Sequence, residues 1–379
     1  DLDLNLNKTN FLIDFLNYKK NNKTNSRIKI NGYYKQGKQL SINNLYILEN
    51  NNKIELRNLI LNKNNSISNI DYVKVDYLDS ENKLNNYLLK KIKKNNYELN
   101  GVSFNANTLI SNFLNSEDKK RNNIFQNNII LNINLDEFFL DEINYISDLK
   151  GNLFFKNNSI NEANLSAFFD YNKNISFTIN TDVDNNKITT LYSSKAKPLL
   201  KRYKFIKGFE EGYIDFYSSK KDNVSNSKLN IYDFKIKELP VLTKILTLAS
   251  LQGIADILSG EGIRFDEFEM NFRNQGDLMT INEIYAIGPA ISLLMRGYVE
   301  QDKLISLRGT LVPATTINKT ISSIPVLGKI LVGDKTGEGV FGVSFKIKGP
   351  PKKLETTVNP IKTLTPRFIT RTLEKIKKN

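Results

Sequence analysis

Along most of this chain apolar side chains recur at every second position. Ile129, Leu131, Ile133 and Leu135 alternate with polar neighbours, and the segments RIKINGYY, DYVKVDYL, YELNGVSFNA, GNLFFKNNSI and ISFTINTDV read the same way, separated by Asn, Lys, Asp and Ser. A period of two with turn chemistry between the runs predicts consecutive antiparallel strands, each with one buried face. Helical spacing is rare in the first half, where residues 8–18 and 104–116 are the helix candidates. Alternation is already present at Leu2, Leu4 and Leu6. The chain is therefore expected to begin inside a strand, as the C-terminal part of something longer.

In the second half the strand pattern continues with helices inserted. The segment LPVLTKILTLASLQGIADILSG predicts a helix with Pro240 in its first turn and Gly260 as its stop. Lys244, Gln252 and Asp256 make it a poor bilayer span, so it is expected to pack on a sheet. Strands follow, with Phe268, Met270 and Phe272 on one face of the first and Ile291, Leu293 and Met295 on one face of another. Ile317, Ile321, Ile324 and Leu331 have helical spacing, which Pro325 must break, and TPRFITRTLEKIKK predicts a basic amphipathic helix at the end.

Composition divides the chain near residue 195. All nine prolines lie at or after Pro198, and asparagine crowds the part before it. The expected regions are 1–195, an Asn- and Lys-rich succession of strands, and 196–379, strands with inserted helices and a basic C-terminal helix. There is no cysteine, histidine or tryptophan. That excludes disulfides, thiol nucleophiles, Ser-His-Asp triads and zinc sites built on Cys or His. The net charge of +14 points to an anionic partner, nucleic acid or phospholipid, although the Lys, Asn and Ile richness is also the imprint of an AT-rich genome. The acidic groups Asp266, Glu267 and Glu269, and Glu210, Glu211 and Asp215, lie mostly on alternating strands whose outward face should be charged, so neither catalysis nor metal binding is expected of them.

The stretch GKILVGDKTGEGVFGVSFKIKG, residues 328–349, comes close to two phosphate-binding motifs. Gly337, Gly339 and Gly342 have the G-x-G-x-x-G spacing, and Gly328 to Thr336 is a Walker-type motif with one residue too many. A dinucleotide fingerprint needs a strand before the glycines and a helix after them. Here the order is reversed, because Phe341, Val343, Phe345 and Ile347 alternate with polar or small residues as a half-buried strand does. The glycines are read as a helix stop and a tight turn.

The motifs around this stretch occur in a set order: G-T-x-x-P-A at Gly309 to Ala314, Asn318, then I-P-x-x-G-x-I-L at Ile324 to Leu331. G-x-G-V-F-G-V-x-F follows at Gly337 to Phe345, then a V-N-P close at Val358 to Pro360, and Thr365 with Pro366 before the last helix. Over residues 235–370 the chain resembles the AsmA-like superfamily, in particular the C-terminal region of its YhdP-type branch; the first 230 residues share only the strand repetition. The resemblance implies a mainly β fold, an elongated antiparallel sheet curled into a half-pipe or taco-like groove with an apolar concave face, and a few short helices near the C-terminus. The strand pattern alone fits a sandwich, a barrel or a solenoid equally well.

The resemblance also implies a protein of the Gram-negative periplasm, attached to the inner membrane through a segment upstream of Asp1, that holds or conducts phospholipid acyl chains between inner and outer membranes. No catalytic residue, cofactor or metal is required. The expected lipid contacts are Phe268, Met270, Phe272, Ile291, Leu293, Met295, Phe341, Val343, Phe345 and Ile347, each of which also fits a closed core under a helix. Arg367, Arg371, Lys375, Lys377 and Lys378 surround apolar positions of the last helix and suit an anionic membrane surface or another envelope protein. The alternative is a structural or assembly factor for the outer membrane that acts through sheet edges without carrying lipid. Nucleic-acid binding has only the net charge in its favour and is not expected.

Overall fold

A computed structural model describes residues 1–13, 17–36, 39–64, 66–115, 128–156, 159–170, 172–200, 207–313, 342–351 and 353–361. The chain forms two compact units, Asp1–Lys187 and Ile188–Asn379, both built mainly of strands.

The first unit contains β1 (Leu2–Asn5), β2 (Phe11–Ile13), β3 (Tyr18–Lys20), β4 (Ser26–Lys35), β5 (Gln39–Glu49), β6 (Asn52–Asn62), β7 (Ile67–Asn69), β8 (Tyr72–Leu78), β9 (Leu84–Lys93) and β10 (Asn96–Asn105). Helix α1 (Asn107–Asn115) follows, then β11 (Ile129–Phe139), β12 (Tyr145–Lys156), β13 (Ser159–Asp170) and β14 (Lys173–Thr181). β1 pairs with β4, and from β4 neighbours in sequence are mostly neighbours in the sheet, with β8 beside β6 and β7 a short addition to β6. Asparagine supplies many of the turns: Asn50, Asn82, Asn95 and Asn185 have φ between 49° and 61°. Asn tolerates this left-handed conformation better than other residues with a Cβ. Asparagine-rich spacers between strands therefore have a conformational use.

The sheet is mixed rather than antiparallel throughout as expected, because β10 and β11 run parallel. A hairpin cannot join parallel strands, and α1 stands in the connection between these two. Among the described residues of 8–18 there is no helix, since Phe11–Ile13 and Tyr18–Lys20 pair as a small antiparallel hairpin. Its side chains explain why. Phe11, Ile13 and Tyr18 join a core with Ile47, Ile54, Val75 and Tyr77, and the Tyr18 phenol donates to the buried Glu49 carboxylate on β5. The Lys20 ammonium, fully buried, donates to the Thr9 and Asn21 carbonyls at 2.8 and 2.7 Å. These tertiary contacts outweigh the weak local preference for helix.

The same core makes a prediction about alkaline pH. Burial, reinforced by Glu49 at Tyr18, pushes the phenols of Tyr18 and Tyr77 far above the ordinary tyrosine range, and burial does the same to Tyr87. In the unfolded chain these groups ionise near pH ~10. The folded state then holds more protons than the unfolded one, so this contribution is complete below pH ~10 and is lost as pH rises beyond it. Ultraviolet titration should show the three core tyrosines, Tyr18, Tyr77 and Tyr87, ionising only together with unfolding. Smooth ionisation of every tyrosine in a folded chain would contradict this packing.

The second unit runs from β15 (Lys187–Ser193) through α2 (Lys197–Leu200) to β16 (Lys207–Lys221), β17 (Val224–Glu238), α3 (Pro240–Leu248), α4 (Gln252–Ser259), β18 (Ile263–Gln275), β19 (Leu278–Ile287), β20 (Ile291–Glu300), β21 (Leu304–Pro313), β22 (Gly342–Gly349) and β23 (Glu355–Ile361). From β16 to β23 each strand pairs antiparallel with the next. The single helix expected from Pro240 to Gly260 is two. It breaks at Ser250, whose φ is +60° and where the Leu251 N–H returns to the Leu246 carbonyl at 2.8 Å, a left-handed ending. Pro240 stands in the first turn as expected. Among the described residues no helix lies beyond Ser259, and the helices expected around 317–331 and 365–378 fall outside them.

Candidate functional site: the apolar sheet faces

Register turns the alternation of single strands into rows that cross the sheet. In the first unit one row runs Leu4, Ile28, Ile47, Ile54, Val75, Tyr87, Gly101, Leu135 and Leu149, each directly opposite the next. Its members from Ile47 to Leu149, Gly101 apart, are buried, under a core that also takes in the β2–β3 hairpin and Ile110 of α1.

The next row on the same face runs Leu2, Ile30, Leu45, Leu56, Val73, Leu89, Leu99, Ile133, Gly151, Leu165 and Phe177. Leu2 is exposed and all the others with a side chain are half-buried. At ~4.8 Å per strand, the ten steps of this row span about 48 Å. The residues one position along face the other way and read Asp3, Lys29, Tyr46, Glu55, Lys74, Leu88, Asn100, Asn134, Lys150, Ser166 and Ser176. One face is therefore continuously apolar and the other largely polar.

In the second unit, register brings nine of the ten expected lipid contacts onto one face. Phe268, Leu293 and Val343 fall in one row with Ile214, Ile231, Ala286 and Leu311. Met270, Met295 and Phe345 fall in the next, with Leu229, Ile284 and Val358. Phe272 and Ile347 share a third row through Ile281, Gly297 and Leu307, while Ile291 lies beyond the first row opposite Pro313. The tenth, Phe341, is outside the described residues, as are Arg367, Arg371, Lys375, Lys377 and Lys378.

Much of this second face is covered. Leu242, Ile245 and Leu246 of α3 and Ala255 and Leu258 of α4 form one core with Ile291, Leu311, Phe345 and Ile347. Ile291 and Val343 are 0% exposed and Phe345 only 3%, whereas Phe268, Met270, Phe272, Leu293 and Met295 are half-buried. The residues that combine an apolar row with partial exposure over the longest run are those of the first unit. Sequence reading singled out none of them as contacts, although each strand's alternation was visible; the missing information was which residue stands opposite which.

Three of the carboxylates noted in the sequence serve as ion-pair partners. Glu210 lies 2.9 Å from Lys237, which holds its carboxyl below the usual range; Glu211 lies 2.8 Å from Arg264, and buried Glu269 lies 3.2 Å from Lys228. Among the described residues no group of acidic side chains is arranged to hold a metal ion, and no helix is long and apolar enough to cross a membrane. No protein-family model, curated protein or solved structure matches the chain.

Proposed function

We propose that this is a cell-envelope protein that holds or conducts phospholipid acyl chains along its apolar sheet faces, between inner and outer membranes. The half-buried row from Ile30 to Phe177, with a largely polar face behind it, is the observation that supports this reading most. Its nine steps span about 43 Å, roughly three times the hydrocarbon depth of one bilayer leaflet, ~15 Å. An acyl chain moving from a bilayer onto such a face exchanges one apolar environment for another. The cost of ~0.8 kcal/mol for each CH₂ exposed to water is thereby avoided, and the transfer needs no chemistry. In this reading each sheet curls into a half-pipe, the headgroup stays at the open seam near water, and α3 and α4 close over part of the face in the second unit.

The resemblance to the AsmA-like superfamily supports the same reading, with its periplasmic location and its anchor upstream of Asp1. The partners are then phospholipids, a membrane surface and other envelope proteins, with no nucleic acid and no cofactor.

The test is organic extraction and mass spectrometry of the protein purified gently from bacterial cells. It compares the wild type with a variant carrying Leu89→Asn and Leu99→Asn, a facing pair in the half-buried row. Charged residues at Val343 and Phe345 are unsuitable, because both side chains are buried and would unfold the chain. Phospholipid bound to the wild type and reduced about tenfold or more in a folded variant is the expected result. A folded wild type that carries no phospholipid would sink the lipid reading and favour the assembly factor.

A further inference from the structure

On the polar face of the second unit, Arg296 stands directly opposite Arg308, and Arg308 directly opposite Lys346. Like charges in facing positions destabilise a sheet, so two such pairs in succession call for a counter-charge. Four other cations of this unit have one within the chain: Lys228, Lys237, Arg264 and Lys303 pair with Glu269, Glu210, Glu211 and Glu300. Among the described residues Arg296, Arg308 and Lys346 make no ion pair. They line a cavity of about 310 Å³, together with the Thr310 and Thr357 side chains and one carboxylate, Glu283.

We propose that this cavity binds a single phosphate group. Arg308, in the middle of the row, presents the planar fork that takes two phosphate oxygens at once, while Arg296 and Lys346 flank it and the threonine hydroxyls add neutral donors. Among the cavity's described residues, three cations and one carboxylate leave a net charge of about +2, suited to one phosphate ester. A nucleic acid fits less well, because the aromatic residue among the cavity's described residues, Phe345, is 3% exposed and packs in the core, so none of these offers a ring to a base. The phosphate belongs either to a soluble compound or to a phospholipid headgroup at a membrane surface. This site lies on the face opposite the apolar rows and stands or falls independently of the acyl-chain reading.

The experiment titrates inorganic phosphate into the full chain at constant ionic strength, for the wild type, Arg308→Gln and Arg308→Lys. Flotation of the same proteins with phosphatidylcholine vesicles, with and without phosphatidylglycerol, runs beside it. Phosphate affinity is expected to fall about tenfold or more in Arg308→Gln and less in Arg308→Lys. Without phosphate, Arg308→Gln should melt no lower than the wild type, since a like-charge contact is relieved. Parallel loss of flotation on phosphatidylglycerol identifies a headgroup site, and phosphate binding without flotation identifies a soluble compound. A wild type that binds no phosphate overturns the proposal. So does a folded Arg308→Gln that binds it equally well, or a short RNA that binds through Arg308 where phosphate does not.

Discussion

Replacing Gly151 by alanine is expected to destabilise the first unit by about 3 kcal/mol, through backbone strain and a clash that a sheet cannot relieve locally. Gly151 has φ +140°, a conformation open in practice to glycine alone. A Cβ built there meets the carbonyl oxygen of Asn164 at 1.8 Å, and that oxygen belongs to the backbone of β13, which pairs with β12. No side chain can swing away to make room. The glycine sits in the half-buried apolar row between Ile133 and Leu165, so the change also tests whether that row tolerates a shift of β13. Because the chain has no tryptophan, far-UV circular dichroism in a urea titration is the measurement. The midpoint should fall with little change of slope. A loss under about 0.5 kcal/mol would mean that the two strands separate easily at this step, and would weaken the case for a rigid row.

The second large effect concerns the helices over the sheet of the second unit. Leu246→Ala is expected to cost about 3 kcal/mol, while Leu248→Ala, two residues on, should stay within about 0.5 kcal/mol. Leu246 is 0% exposed and belongs to the core that α3 and α4 share with Phe345 and Ile347; Leu248, on the same helix, is 51% exposed. Truncating the first leaves a cavity among side chains that relax only in part, whereas truncating the second removes atoms already in contact with water. Equal effects from the two substitutions would mean that α3 is not seated on the sheet as described. A strong contrast would establish that Ile291, Phe345 and Ile347 belong to a closed core, and would direct the search for lipid contacts to the half-buried residues.

Much of the fold was legible residue by residue. The run Ile129, Leu131, Ile133, Leu135 is a strand in the structure, as are the segments around Phe268 and Ile291, and Val343, Phe345 and Ile347 are buried in β22. Pro240 marks a helix start, and residues 107–115 are helical within the 104–116 expected. The failures have physical causes. Residues 8–18 looked helical because Phe11, Phe15 and Tyr18 stand four and three residues apart in the sequence, as on one helix face, yet the contact that holds Tyr18 is with Glu49, 31 residues away. The helix from Pro240 reads as continuous because Ser250 is an ordinary helix residue in composition, and only its backbone, at φ +60°, ends the first half.

What the sequence determined alone was the face each side chain belongs to. Successive Cβ atoms of a strand point to opposite sides, so alternation already sorted Leu45, Leu56, Leu89 and Leu99 from Lys29, Glu55, Lys74 and Asn100. What it left open was the row. A strand slipped by two residues keeps every apolar side chain on the same face, so the hydrophobic pattern is equally satisfied by several registers. Turns, bulges and the parallel step from β10 to β11 choose among them, and these depend on contacts between distant residues. The same choice places Arg308 between Arg296 and Lys346, and Gly151 between Ile133 and Leu165. Composition separates apolar from charged residues, but only the paired strands decide which of them stand side by side.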